Sequence, residues 1–165
     1  ELIKEYLPRA VENGQDIEAR EAMVNAIFLG GMSFNNAGLG YVHSMAHQLG
    51  AVYNLPHGVC CAMILPIIER ENAKRVPAAF RDVAKALGLD IAGKTDEECA
   101  DYAIEQIEEL SAKVGIPKKL IELDIKEEDF YFEYLSKNAL IDACAPGNQF
   151  MPTLEETIAF YKELF

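Results

Sequence analysis

Apolar residues recur at helical spacing along nearly the whole of this 165-residue chain, and no alternating stretch is long enough for a useful strand. That regularity restricts the fold to packed helices. The clearest face is Cys99, Ala103, Ile107, Leu110 and Val114, and Thr95 with Glu98 forms a capping box ahead of it. Thr153 and Glu156 repeat the device before the last helix, while Asp16 can cap a long one carrying Ile17, Ala22, Met23, Ala26, Ile27, Gly30 and Phe34. Leu2, Ile3, Tyr6, Leu7 and Ala10 mark a helix at the start. A Gly and Asn cluster at 35–40 interrupts the pattern, a short helix follows over 41–49, and another is expected over 127–143. Pro56 introduces a helix apolar on all sides, which Pro66 should kink or end. Pro77 can begin the next, with Gly88 and Gly115 placed to terminate helices. The expected fold is all-α, a multi-helix bundle or array in one domain over 1–165.

Half of the residues are apolar, enough for a real core. The net charge of −12, from 27 acidic against 15 basic residues, argues against nucleic acid, which needs clustered Lys and Arg. Acidic runs at 96–98 and 127–129 sit at expected helix starts, where carboxylates complement the helix dipole. No apolar run approaches the roughly 20 residues of a membrane span. The adjacent Cys60 and Cys61 point in different directions on a helix, so the four cysteines read as reduced thiols of a cytoplasmic protein. The chain opens at Glu1 inside a helical pattern and reads as a piece of a longer protein.

All three histidines fall within the fifteen residues HSMAHQLGAVYNLPH. His43 and His47, four apart, share a helix face, and His57 stands at the start of the following helix. A helix and the next helix's N-terminus can thereby converge on one metal ion; the alternative is a set of hydrogen-bonded core histidines. Ser44 stands where a zinc protease of the H-E-x-x-H type needs its glutamate, so that chemistry is not expected. Asp142 could reach the histidines through folding, but an Asp near a helix end reads first as a cap or surface residue; Cys60, three residues beyond His57, could be a soft ligand but reads first as a small core residue. Gly30, Gly31, Gly38 and Gly40 follow no strand, which removes a dinucleotide fingerprint and leaves tight helix contact and a sharp turn as their uses.

The stretch FNNAGLGYVHSMAHQLGAVYNLPHGVCCAMILP resembles the histidine-rich signature of the iron-containing (group III) alcohol dehydrogenases. GIPKKLIELDIKEEDF and NALIDACAPGNQFMPTLEETIAFYKELF resemble that family's later segments, nearest to its lactaldehyde reductase and 1,3-propanediol dehydrogenase type members. The resemblance implies an all-helical C-terminal domain, normally preceded by an α/β domain that binds NAD or NADP. It implies a divalent metal, Fe2+ or sometimes Zn2+, held by one aspartate and three histidines, the first two of these lying upstream of the region present here. His43 and His57 are then metal ligands. His47 lies near the nicotinamide and the substrate and relays a proton, a task suited to imidazole. Phe34 and Cys144 match positions lining the substrate pocket. The family's Asn-Pro-Arg is here Asn148, Gln149 and Phe150, which puts a pocket role for that loop in doubt.

The implied reaction is hydride transfer between a small alcohol or aldehyde and the nicotinamide, with the metal as Lewis acid. This region alone is expected to be inactive, and loss of a partner surface would invite homo-oligomers. Competing readings are the related glycerol dehydrogenase or dehydroquinate synthase branch, a stand-alone helical metal-binding module, and a structural domain that has lost catalysis.

Overall fold

The computed structural model describes every residue, Glu1–Phe165, and contains helices and turns but no strand. In chain order the helices are α1 (Leu2–Glu12), α2 (Ile17–Ala37), α3 (Tyr41–Tyr53), α4 (His57–Ala73), α5 (Phe80–Ala86), α6 (Asp96–Lys113), α7 (Phe132–Leu140) and α8 (Leu154–Lys162). The all-α expectation holds. The helices gather in two compact units, one of residues 1–38 with 76–115, the other of 39–75 with 116–165.

In the first unit α1 packs on α2 and α5 on α6. The expected caps are present: Ala19 N–H donates to Asp16 Oδ1 at 3.1 Å, and Thr95 and Glu98 satisfy each other's backbone N–H groups. Arg81 closes the turn between α5 and α6 by donating to the carbonyls of Ile91 and Lys94 and to Asp96. Gly88 and Gly115 take positive φ, as chain reversal after a helix requires. Gly30 and Gly31 differ from expectation: a Cβ on either would meet nothing within 4 Å, so no close helix contact within the chain explains them. One face of α2 exposes Val24, Ile27, Phe28 and Met32. No helix is long and apolar enough to cross a membrane.

The second unit holds the larger core, built where α3, α4, α7 and α8 meet. Tyr41, Met45, Leu49, Ile64, Ile68, Leu135 and Tyr161 are fully enclosed there. Each such side chain contributes about 1.5–3 kcal/mol through removal of apolar surface from water. The two buried phenols also bond: Tyr41 Oη pairs with Thr157 Oγ1 at 2.8 Å, and Tyr161 Oη donates to the Met45 carbonyl at 3.0 Å. Burial pushes the Tyr41 phenol up to about 12, so it stays neutral. The Thr153–Glu156 capping box opens α8 as expected.

Two element boundaries depart from the periodicity, and of the two outcomes expected at Pro66, a kink or an end, the end does not occur. The helix expected over 41–49 continues to Tyr53, where Asn54 takes the left-handed conformation and ends it. α4 runs through Pro66 and does not end there, because the buried Met63, Ile64, Ile67 and Ile68 on both sides hold it in the core. The helix expected over 127–143 divides into a short turn, Glu127–Asp129, and α7. Between them Phe130 is extended and buries its ring against Tyr53, Phe132 and Phe165, while Tyr131 N–H donates to Tyr53 Oη at 3.0 Å.

Candidate metal centre

The site is assembled within the second unit from α3, the start of α4 and the loop after α7. Helical spacing puts His43 and His47 one turn apart on α3. The left-handed Asn54 then reverses the chain, and Pro56, with φ fixed at −60°, precedes His57 as the first residue of α4. The ring centroids lie 5.4 Å apart for His43 and His57, 5.5 Å for His47 and His57, and 6.1 Å for His43 and His47. The sequence-based convergence of the three histidines is therefore present.

Their surroundings differ. His43 is half-buried on the α3 face, and burial, followed by the neighbouring His57 and His47 rings, holds it below the usual imidazole range. It is thereby kept neutral, the form that binds metals. His57 is exposed and lies 3.5 Å, through Nε2, from the Cys61 thiol one turn along α4. His47 alone meets a carboxylate: its Nδ1 is 3.0 Å from Asp142 Oδ2.

Asp142 fulfils both of its sequence readings. It caps, since its Oδ1 accepts the Cys144 N–H at 2.9 Å, and its other oxygen reaches the histidine site. Desolvation raises its proton affinity, yet the Cys144 N–H and the His47 ring outweigh that and hold the carboxyl below its ordinary range. No local signal could have found this pairing across 95 residues. Cys61 was legible, four residues beyond His57 on one helix face. Cys60 is a core residue as expected, and burial pushes its thiol up to about 11. Ser44, where a protease would carry its base, is fully buried with its hydroxyl turned toward the Gly40 carbonyl.

The loop from 141 to 150 is latched to the start of α3. Asn148 Oδ1 accepts the Tyr41 N–H at 3.3 Å, a cap delivered from 107 residues away, while its Nδ2 donates to Asn72 Oδ1 and the Phe150 carbonyl. Phe150 lies under the Arg75 guanidinium, 3.7 Å from ring centroid to Cζ. Cys144, on the same loop, is half-buried beside Asp142 and His47. Phe34 belongs to the first unit, on α2, with 51% of its surface exposed.

Two sets of donors are compact enough for an ion: His43, His57 and Cys61, and His47, Asp142 and Cys144, the ligand atoms of each set lying within 4.8 Å of one another. Metal–donor bonds of about 2.0–2.3 Å at tetrahedral angles need separations of roughly 3.3–3.8 Å, reachable by small side-chain rotations. The first set, imidazole nitrogens with a thiol at the edge, suits Fe2+ or Zn2+.

All of residues 1–165 match the family model for the Fe-containing alcohol dehydrogenase family, C-terminal. The chain is 45% identical over 164 residues to alcohol dehydrogenase 4 of Schizosaccharomyces pombe, covering 98% of this chain and 37% of that protein. It is 42% identical over 161 residues to the NAD-dependent methanol dehydrogenase of Bacillus methanolicus, covering 98% of this chain and 42% of the relative. The crystal structure of a 1,3-propanediol oxidoreductase superposes with a TM-score of 0.94 at 43% identity, over 99% of this chain and 42% of that one. The chain thus spans about two fifths of the length of the relatives it matches.

Proposed function

Because the chain belongs to the Fe-containing alcohol dehydrogenase family, we propose that it forms the metal-holding helical half of an NAD- or NADP-dependent alcohol dehydrogenase or aldehyde reductase. The observation that supports this most is the asymmetry of the histidines: His43 and His57 lie close together, and of the three rings it is His47 beside them that is hydrogen-bonded to a carboxylate, Asp142. In this reading His43 and His57 hold Fe2+ or Zn2+. When bound, the ion polarises an alcohol or carbonyl oxygen, and the nicotinamide nucleotide accepts or returns hydride. His47 takes the alcohol proton in one direction and returns it in the other. Cys144, beside Asp142 and His47, borders a small alcohol or aldehyde. The four unpaired cysteines fit a reducing, cytoplasmic compartment.

The test is a full-length protein carrying this chain, stripped of metal, reloaded with Fe2+ or Zn2+, and assayed with NAD and NADP on short primary alcohols. Activity is expected to return only with metal; turnover of equal rate in the stripped protein defeats the reading. The isolated 165-residue chain is expected to be inactive and to bind either ion weakly, since affinity depends on ligand count and a preformed site. Stoichiometric binding at submicromolar affinity in a calorimetric titration would contradict that expectation.

A further inference from the structure

The loop after α7 supplies a carboxylate whose two oxygens have separate tasks. Asp142 Oδ1 accepts the Cys144 N–H at 2.9 Å, which fixes the carboxyl plane relative to the loop. Oδ2 meets His47 Nδ1 at 3.0 Å, with Gln48 Nε2 at 3.5 Å. Gln48 is itself held by donating to the Ser44 carbonyl one turn back on α3. The Asp142 side chain is only 15% exposed, so water competes poorly for Oδ2.

An ionised carboxylate has no proton to give, so Nδ1 must be the donor. A neutral imidazole carries one N–H, and placing it at Nδ1 leaves Nε2 as the bare acceptor. The partner also offsets the positive charge that the ring gains when Nε2 takes a proton.

We propose that Asp142 is the positioning residue for His47, fixing its ring and its Nδ1–H tautomer so that Nε2 alone exchanges protons with the substrate. The inference rests on the reading of His47 as proton relay. It adds a link between relay and pocket, because the same carboxylate holds the backbone of Cys144.

The test uses the full-length zinc form with 15N-labelled histidine, and the variants D142A, D142N, H47A and the D142A/H47A double. In D142A, kcat is expected to fall about 10–100-fold with KM little changed, the range for losing an outer hydrogen-bond partner of a functional histidine. His47 Nδ1 should then lose its protonated 15N signature. D142N can still accept from Nδ1–H, so it should keep the tautomer and fall about tenfold or less. The double variant should be no slower than H47A, because the two residues act as one unit. D142N also guards against a folding defect, read by circular dichroism and thermal melting. A D142A enzyme at wild-type kcat, or one whose His47 keeps the Nδ1–H signature, overturns the inference while an impaired H47A leaves the relay standing. An H47A enzyme at wild-type kcat overturns the relay, and the inference with it.

Discussion

H57A in the full-length protein is expected to lose its metal and with it alcohol oxidation, without loss of fold. The first residue of α4 is exposed and contributes nothing to the core that α3, α4, α7 and α8 enclose. Surface truncations of that kind usually change stability by no more than about 0.5 kcal/mol. The proposed ligand set, however, loses one of the two imidazoles assigned to this chain. Losing an outer partner of a ligand already costs about 10–100-fold, so loss of the ligand should cost more than about 100-fold in kcat/KM. Metal content by elemental analysis should fall in parallel with activity. H43A should behave alike, with an added stability cost because His43 is half-buried on α3. Full metal occupancy in H57A would remove His57 from the ligand set.

The second large effect is expected on stability, from G147A. A Cβ at Gly147 would land on the carbonyl oxygen of Leu39. The carbonyl cannot easily retreat: the next residue, Gly40, is itself packed on Asn148, where a Cβ would lie 2.9 Å from Oδ1, and Tyr41 N–H is bonded to that oxygen. Two backbone segments would have to separate, which overpacking data put at about 3 kcal/mol. Urea denaturation should show the loss. The same strain should loosen the loop that carries Asp142 and Cys144. Gly30→Ala serves as the control, since its Cβ would point into open space on α2, and there alanine should stabilise by about 0.5–1 kcal/mol. Equal stability of G147A and wild type would mean that the turn at Ala145–Gly147 yields without cost.

The helix starts were legible because capping is local. Asp16, Thr95 and Thr153 each bond a backbone N–H three residues on, and such a pairing is set by near neighbours in the chain. The shared face of His43 and His47 is equally local, a consequence of 3.6 residues per turn. Elsewhere the outcome lies with core packing and not with the local pattern. α4 passes through Pro66 because apolar residues before and after it are already enclosed. The stretch over 127–143 breaks at Phe130, which is extended and packs its ring into the aromatic cluster around Tyr53.

The three histidines show where the boundary between local pattern and tertiary structure falls. Sequence by itself determined that the chain is helical, that His43 and His47 rise on one face, and that His57 follows a turn to meet them. Only the tertiary structure decided which of these rings is anchored and by what. Asp142 comes from 95 residues beyond His47, Asn148 from 107 residues beyond Tyr41, and neither partner leaves a mark in the local pattern. Helical periodicity can point a side chain toward a face. The hydrogen bond that then fixes its tautomer depends on which distant loop the core brings against that face.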